Sequence, residues 1–153
     1  MRGCVFCDIV RGGAPASLVH ADAHCVAFLD IHPVRPGHAL VVSRRHAVHL
    51  HELTPPERAA LMEAAARIGV AQGAAGLPRG GGTLLVNDGP AAGQHVPHVH
   101  LHVVPRARGD LLAVAGAYAA RVFNRFGRAA DRAALDALAA RIRAHLSSSE
   151  STA

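Results

Sequence analysis

The chain has 153 residues, half of them hydrophobic, which suits a single domain with a sizeable core. The formal charge is +5, but all 16 basic residues are scattered arginines and aromatic residues make up only 3%, so the composition argues against binding to a nucleic-acid polymer and leaves a small anionic ligand open. No apolar run approaches the roughly 20 residues that span a bilayer, and the N-terminus lacks the pattern of a secretory signal, so we expect a soluble, cytoplasmic protein with no membrane partner.

The first motif is a pair of cysteines, Cys4 and Cys7, in a predicted short helical turn over residues 4–11. In a reducing compartment, a C-x-x-C spacing belongs either to a redox pair or to half of a metal site. No thioredoxin-like pattern follows, and twelve histidines are available as co-ligands, so metal binding is favoured. The remaining cysteine, Cys25, is expected to be an inert buried thiol.

Short apolar runs separated by turn residues predict five strands. They are expected at residues 17–20, 25–30, 38–43, 83–87 and 98–104. Consecutive strands joined by short turns, with helices inserted between them, indicate an α+β fold built on an antiparallel five-stranded sheet.

Two helices accompany the strands. One long helix begins with Thr54 as its N-cap and Glu57 at the third position, and it extends to about Gln72. The Gly-rich run over residues 73–82 that follows is expected to be a flexible connection. A C-terminal helix is predicted over residues 130–146, where four large aliphatic side chains share one face, and residues 147–153 are expected to form a disordered tail.

The last predicted strand carries three histidines, His98, His100 and His102, which alternate with Val and Leu. Strand spacing places all three on one face. Three imidazoles in a row are hard to explain as packing, because each buried ring needs its own donor and acceptor satisfied. The preceding loop, residues 88–95, contains glycines that permit a positive φ and a close approach of backbone N–H groups to a ligand.

Three motifs, in this order along the chain, resemble the histidine triad (HIT) family of nucleotide hydrolases and transferases. Residues 27–38 are similar to its nucleoside-binding strand and loop, residues 87–94 to its phosphate-binding loop, and residues 98–104 to its H-φ-H-φ-H-φ-φ motif. The resemblance covers residues 4–109 of a single domain spanning residues 1–146, and the extension over residues 110–146 matches nothing recognisable. It implies a HIT-like fold and a homodimer whose sheets continue across the interface through the long helix and its neighbouring strand.

The resemblance also implies a set of catalytic residues: His100, His102 and His38. His100 would be the nucleophile that attacks the α-phosphorus of a nucleotide, forming a nucleotidyl-histidine that water then hydrolyses. His102 would contact the phosphate oxygens by proton donation or hydrogen bonding, and His38 would support the network around the nucleophile.

The same resemblance implies the substrate contacts. Asp30 would hold the ribose hydroxyls, and Asn87 would hold phosphate oxygens together with backbone N–H groups of the loop. The other expected substrate-binding residues are the loop residues Gly93, Gln94 and His95 and, for an apolar slot that favours purine bases, Phe6, Ile9, Phe28 and Ile31. For the four slot residues an ordinary role in the core is equally compatible with the sequence.

The cysteine pair resembles that of a bacterial subgroup of the family that binds zinc. The implied ligands are Cys4, Cys7, His46 and His98, with His49 or His51 as alternatives to His46. Four protein ligands leave no open coordination position, so the Zn²⁺ would be structural, and the reaction itself requires no catalytic metal.

His95 departs from the family pattern, which has Ser or Thr after the loop glutamine. The favoured function is hydrolysis of nucleoside 5′-phosphate derivatives such as phosphoramidates, dinucleoside polyphosphates or related adenylates. A nucleotidyltransferase or phosphorylase using the same intermediate, and a non-catalytic zinc-stabilised nucleotide-binding protein, stay open as alternatives. The sequence leaves the leaving group undetermined, and the C-terminal region expected to contact it contains Tyr118, Phe123 and Phe126.

Overall fold

The computed structural model describes residues 3–122 and 129–150, in which one antiparallel sheet is packed by helices. The strands are β1 (Leu18–Ala21), β2 (Cys25–Leu29), β3 (Ala39–Ser43), β4 (Gly81–Val86) and β5 (His100–Arg106), in the spatial order β1-β2-β3-β5-β4. The α-helices are α1 (Val5–Val10), α2 (Pro55–Ala74), α3 (Leu111–Val122) and α4 (Arg132–Glu150). The predicted α+β class and five-stranded antiparallel sheet are confirmed. None of the described helices combines the length and the apolar character needed to cross a bilayer.

One face of the sheet carries the main hydrophobic core. Side chains alternate along each strand, so Ala27, Val41 and Leu101 on neighbouring strands all point to this face and are buried. Helices α2 and α4 cover it, with Ile68 and Ile142 fully buried. This two-layer packing leaves the opposite face of the sheet for the site.

The opposite face is covered by the short helix α1. Phe6 of α1 belongs to a second buried cluster that includes Leu40 and Val42 of β3. In the sheet, Leu40 is paired with His102 and Val42 with His100, and paired residues of antiparallel strands point to the same face. The predicted histidine row therefore lies under α1, away from the main core.

Helix α2 begins as predicted. The Thr54 side chain accepts a hydrogen bond from the Glu57 N–H, and the Glu57 carboxylate accepts one from the Thr54 N–H at 2.7 Å, which completes a capping box. The helix continues slightly past its predicted end. Gln72, buried on the apolar stripe, donates to the carbonyl oxygens of Gly37 at 2.8 Å and Val103 at 3.3 Å, and so connects the helix to the sheet.

The start of β5 corrects one prediction. His98 lies in a bend before the strand, where its N–H donates to the Val96 carbonyl at 2.8 Å, so only His100 and His102 of the three histidines are strand residues. The rings of His98 and His100 nevertheless both contact Phe6, at centroid distances of 6.0 and 5.1 Å. The expectation of a common face holds although the regular strand is shorter at this end.

Two further boundaries differ because of strand pairing. The strand β5 continues through Pro105, where it pairs with β4 alone among the described residues. Proline has no N–H to donate, and it is tolerated here because pairing with β3 ends at Val103. The run 73–82, predicted to be a flexible connection, already enters β4 in its last residues. At Gly80, just before β4, a Cβ would lie 3.0 Å from the Arg106 carbonyl oxygen, so a larger residue would require the backbone of the neighbouring strand to shift slightly.

The extension beyond the sheet contains helix α3, which the sequence pattern does not predict. Nine of its twelve residues are Ala, Leu or Val, so few polar side chains mark one side of the helix. Val114 is buried, and Tyr118 and Arg121 follow it on the same helical face.

Helix α4 is longer than predicted. Residues 147–150, expected to belong to a disordered tail, are helical, and the Ser147 hydroxyl donates to the carbonyls of Arg143 and Ala144 in the preceding turn. These side-chain bonds satisfy acceptors near the helix end, which a composition rich in serine does not reveal. The remaining tail residues, 151–153, lie outside the described part of the chain.

Candidate active site and metal centre

A cavity of about 270 Å³ opens beside the histidine strand, between α1, the end of β2, the loop before β5, and helices α3 and α4. It brings together most of the residues singled out from the sequence. Those lining it are Phe6, Ile9, Phe28, Asp30, Ile31, Asn87, Gly93, His95, His100 and His102. Gln94 and His38 do not line it.

The His100 ring has one nitrogen held by the backbone. Its Nδ1 lies 2.7 Å from the carbonyl oxygen of His98, an atom that can only accept, so the Nδ1 position carries the proton. In a neutral ring the other nitrogen, Nε2, then carries a lone pair. Burial lowers the pKa of His100, which keeps the ring neutral near pH 7. The ring therefore offers an unprotonated nitrogen at the cavity wall.

A second pair of rings, His38 and His102, forms a directed hydrogen-bond chain. The Val34 N–H donates to His38 Nδ1 at 3.2 Å, which puts the His38 proton on Nε2. That Nε2 donates to His102 Nδ1 at 2.9 Å, so the His102 proton is on Nε2. Burial lowers the pKa of His38 to about 3 and that of His102 to about 2. The chain ends in an N–H donor on the ring that lines the cavity.

Asp30, expected to hold ribose hydroxyls, is engaged by protein groups. The His32 N–H donates to Oδ1 at 2.9 Å, and the Arg121 guanidinium donates to Oδ2 at 2.7 Å. Oδ2 also lies 3.5 Å from His38 Nδ1. Arg121 comes from α3, and it makes a second hydrogen bond to the His32 carbonyl. The carboxylate is thus buried beside the guanidinium of Arg121, a residue that the sequence did not identify as part of the site.

The loop before β5 is held together by its own hydrogen bonds, and this corrects part of the phosphate-binding prediction. The N–H groups of Gly93 and Gln94 donate to the carbonyls of Pro90 and Gly89 at 3.0 and 3.2 Å, so neither N–H is directed at the cavity. The Asn87 side chain, which lines the cavity, donates to the Gly93 carbonyl at 3.4 Å.

Gln94 acts as a brace within that loop. Its Oε1 accepts from the Gly89 N–H at 2.8 Å, and its Nε2 donates to the Val48 carbonyl at 2.9 Å. Gly93 adopts a φ of 82°, a left-handed conformation that favours glycine, and this turn brings His95 to the cavity. In this structure both polar ends of the Gln94 side chain support the loop, and its contact with a substrate stays a prediction.

The apolar slot is both core and cavity wall. Phe6 and Phe28 are buried and meet edge to face at 5.7 Å between ring centroids, and both line the cavity. Ile9 packs against the same cluster, while Ile31 is 41% exposed at the cavity mouth. The two interpretations of these residues are compatible, since one side of each aromatic ring packs while the other remains available.

A separate cluster at the opposite end of the histidine row contains Cys4, Cys7, His46 and His98, whose donor atoms all lie within 4.8 Å of one another. The His98 Nε2 lies 2.7 Å from the Ser43 carbonyl, so Nε2 carries the proton and the Nδ1 lone pair faces the cysteines. The Nδ1 atoms of the two histidines are 3.3 Å apart, and the sulfur atoms of Cys4 and Cys7 lie 3.4 and 3.5 Å from His98 Nδ1.

These spacings fit a tetrahedral ion. Zn–N bonds of about 2.0 Å and Zn–S bonds of about 2.3 Å place two nitrogens about 3.3 Å apart and a nitrogen and a sulfur about 3.5 Å apart. Of the three candidate histidines, His46 lies in this cluster. His49 instead pairs with Asp88 at 3.0 Å and stacks on His51 at 5.6 Å between centroids, so neither replaces it in this cluster.

Three cavity residues, Tyr118, Arg121 and Arg132, come from the C-terminal extension. Tyr118 falls in the region where the sequence predicts contact with a leaving group; the arginines were missed, since nothing in the apolar pattern of α3 marks Arg121 as inward-facing. The other two aromatic residues named for that region, Phe123 and Phe126, lie outside the described residues.

Comparisons with known proteins agree with this geometry. A model of the HIT domain family matches residues 11–109. An uncharacterized HIT-like protein of Mycobacterium tuberculosis is 46% identical over 113 residues, 73% of this chain and 77% of that protein. The adenosine 5′-monophosphoramidase hnt1 of Schizosaccharomyces pombe is 37% identical over 103 residues, 67% of this chain and 74% of that protein. A solved zinc-bound histidine triad family protein from Mycobacterium smegmatis has a TM-score of 0.80 and 37% identity, covering 99% of this chain and 98% of that one.

Proposed function

The chain belongs to the HIT domain family, and from that premise we propose that it is a nucleotide hydrolase that cleaves at the α-phosphate of nucleoside 5′-phosphate derivatives through a covalent nucleotidyl-histidine. The substrates are phosphoramidates, dinucleoside polyphosphates or related adenylates. The named activity of the fission yeast relative, an AMP phosphoramidase, supports nucleotide hydrolysis in general. The single observation that carries the proposal is the protonation pattern of His100.

His100 is prepared for nucleophilic attack by its hydrogen bond to the His98 carbonyl. The Nε2 lone pair forms a bond to the α-phosphorus, and the bond from phosphorus to the leaving group breaks with its electron pair, which is protonated from water. The ring, now bonded at Nε2 and protonated at Nδ1, is cationic, and the His98 carbonyl stabilises that charge. In the second step water attacks phosphorus, the P–N bond returns its electron pair to Nε2, and the water gives up a proton to solvent.

His102 assists by hydrogen bonding rather than by proton transfer. The Nδ1 atom of His102 already accepts a hydrogen bond from His38, so the proton on Nε2 is the only N–H proton of the ring. Loss of this proton would leave an anionic ring in a buried site. A donor of fixed direction stabilises the charge that develops on a phosphate oxygen. Because His38 acts through His102, it is a positioning residue.

The substrate is held by the remaining cavity residues. Asp30 accepts from the ribose hydroxyls, Asn87 contacts phosphate oxygens, and the slot of Phe6, Phe28 and their aliphatic neighbours takes the base. An apolar wall that includes two aromatic rings favours the larger stacking surface of a purine.

Trapping the covalent intermediate tests the proposal. Wild-type protein mixed with adenosine 5′-phosphoramidate and quenched in denaturant should gain the mass of one nucleotidyl group, and it should turn over a panel of such substrates. His100→Ala should do neither. Equal turnover by the two proteins would exclude His100 as nucleophile, and the absence of any turnover and any adduct in wild type would favour a binding protein.

His95 favours a second candidate, transfer of the nucleotidyl group to phosphate or another acceptor. The His95 side chain lines the cavity that also contains His100. A titratable side chain at the rim has the position to bind an anionic acceptor. Product analysis with and without added phosphate separates the two: nucleoside diphosphate formed only with phosphate indicates phosphorolysis, and identical products indicate hydrolysis.

The cluster of Cys4, Cys7, His46 and His98 binds structural Zn²⁺ in this proposal, and no catalytic metal takes part. The zinc-bound mycobacterial neighbour and the donor spacings support it. Bound zinc would fix α1 to the chain entering β5 and thereby hold Phe6 over His100. Elemental analysis of untagged protein should find about one zinc per chain, and none would contradict the assignment.

The protein is further proposed to be a cytoplasmic homodimer that joins through α2 and β4. The β4 strand lies at a sheet edge, and Leu84 and the α2 residues Met62 and Val70 are exposed apolar side chains there. Light scattering on the purified protein should give the mass of two chains, and Leu84→Lys should shift it toward one.

A further inference from the structure

An ion pair joins the cavity wall to α3. Arg121 Nη2 lies 2.7 Å from Asp30 Oδ2, and the two side chains are 16% and 7% exposed. Both residues line the cavity that contains His100. The pair therefore lies inside the site proposed to bind a nucleotide, and it has to be considered together with the ligand.

Ribose binding at Asp30 is in competition with Arg121. Of the two carboxylate oxygens, Oδ1 accepts from the His32 N–H at 2.9 Å and Oδ2 accepts from Arg121. A carboxylate oxygen can accept more than one hydrogen bond, but hydroxyls that take the place of the guanidinium on Oδ2 displace it. A partly buried cation that loses its counter-ion is strongly unfavourable. The nucleotide brings its own anion, the phosphate at His100, into the same cavity. An exchange of partners gives the guanidinium a new counter-ion, while Asp30 exchanges the guanidinium for hydroxyl donors and keeps the hydrogen bond from the His32 N–H.

Two observations place α3 at the phosphate side of the cavity. Arg121 lines the same cavity as His100 and His102, and its positive charge adds to burial in lowering the pKa of both rings. One helical turn earlier, the Tyr118 hydroxyl is buried at the cavity and has no hydrogen-bond partner in the described part of the chain. A buried polar atom without a partner at a cavity indicates a place for a ligand group.

Building on the proposed function, we propose that Arg121 is a substrate-binding residue that holds Asp30 in the ligand-free protein and transfers to the phosphate oxygens of the nucleotide when the ribose hydroxyls bind Asp30. The Tyr118 hydroxyl donates to the same ligand. The extension beyond the matched family region thus supplies a wall of the substrate site, and it makes recognition of phosphate and ribose interdependent.

Calorimetric titration with AMP and with adenosine tests this exchange, and the readout is the ratio of the two dissociation constants. In Arg121→Gln the affinity for AMP should fall about ten- to a hundredfold, while that for adenosine should not fall, because the hydroxyls no longer compete with the guanidinium. Arg108→Gln is the matched control. It removes the same charge from an exposed position outside the cavity and should keep the wild-type ratio.

A merely structural ion pair gives a different result. Arg121→Gln would then weaken AMP and adenosine alike or leave both unchanged, and an unchanged ratio overturns the assignment. Because Arg121→Gln leaves a buried carboxylate unpaired, the double variant Asp30→Asn with Arg121→Gln removes both charges and secures folding. Its ribose contact is altered for both ligands equally, so the ratio should collapse there as well, and a wild-type ratio would again overturn the proposal.

The two proposals fail in distinguishable ways. If wild type binds AMP no more tightly than adenosine, the phosphate contact of Arg121 is excluded whatever the protein catalyses. A second outcome is that the ratio of dissociation constants collapses in Arg121→Gln while His100→Ala turns over substrate as fast as wild type. That result would support Arg121 as a substrate-binding residue and exclude His100 as the nucleophile.

Discussion

His98 and His100 are neighbours in the histidine row, both buried and both in contact with Phe6, yet their rings present opposite nitrogens. At His98 a backbone carbonyl, that of Ser43, takes Nε2 and leaves Nδ1 for the cysteines. At His100 a backbone carbonyl, that of His98, takes Nδ1 and leaves Nε2 for the cavity. The chemistry available to each ring is thus decided by which nitrogen the backbone occupies, and the same residue type serves two different sites.

The comparison predicts that catalysis at His100 and metal binding at His98 can be removed independently. The largest expected effect is the loss of turnover when the nucleophile is replaced. His100→Ala should lower turnover by at least about 10⁴-fold, since removal of a covalent nucleophile abolishes the two-step route. Zinc content should stay at the wild-type level, because His100 does not belong to the metal cluster. Turnover kinetics and elemental analysis on the same sample check both halves. Loss of zinc together with activity would show that the two ends do not act separately.

Removal of a ligand from the metal cluster should mainly lower the stability of the protein. In Cys7→Ser the cluster loses one of its two sulfur ligands, so zinc should be lost and the melting temperature should fall by more than about 5 °C, the equivalent of roughly 2 kcal/mol for a domain of this size. Cys25→Ala is the matched control, because this buried thiol lies outside the four-residue cluster and burial raises its pKa to about 12. Thermal unfolding with parallel zinc analysis measures the effect; a Cys7 variant that keeps its zinc contradicts the ligand set.

A smaller effect is expected from the chain that orients His102. His38→Ala removes the donor to His102 Nδ1 and should lower kcat about tenfold with little change in KM, since one neutral hydrogen bond is worth ~1 kcal/mol. His38→Gln retains an N–H donor near the Nε2 position and should recover most of the rate. Steady-state kinetics of the three proteins decide the point. Equal losses of kcat in both variants would mean that His38 acts by filling space and not by orienting His102 through a hydrogen bond.

The smallest expected effect is a slope in stability against pH. His38 is neutral when folded, with its pKa lowered by burial to about 3, while in the unfolded chain the value is near 6.5. Above pH 6.5 the ring is neutral in both states and contributes no slope. As the pH falls from 6.5 toward 3, the unfolded chain binds a proton that the folded protein does not, so stability decreases.

His38→Gln should flatten that slope, and urea unfolding of both proteins between pH 7 and about 4 measures it. Asp30, His102 and Arg121 surround the ring and are present in both proteins, as are the zinc ligands. The difference therefore reports the titration of His38 together with its effect on the pKa of His102. Parallel curves for the two proteins would contradict a neutral buried ring.

Local patterns were sufficient for much of the fold. The capping box of Thr54 and Glu57, the alternation of the strands and the stripe of α2 depend on residues a few positions apart, and the structure has them close to where the sequence predicts them. The local predictions that failed concern the Gly-rich run over residues 73–82 and helix α3. The last residues of the Gly-rich run join β4 because they pair with β5, and α3 was missed because its residues are mostly Ala, Leu or Val with few polar side chains among them.

What the sequence by itself determined is the inventory of the site: the histidine row, the cysteine pair, Asp30 and the loop before β5. Only the tertiary structure decided how these groups are used. It brought His46, and not His49 or His51, to the cysteines, and it paired Asp30 with Arg121 across 91 positions of the chain. It also assigned the proton of His98 through the distant Ser43 carbonyl and that of His100 through the His98 carbonyl. The physical reason is that residue type and spacing along a strand depend on the local backbone, whereas protonation and ion pairing depend on which distant atoms come within hydrogen-bond distance.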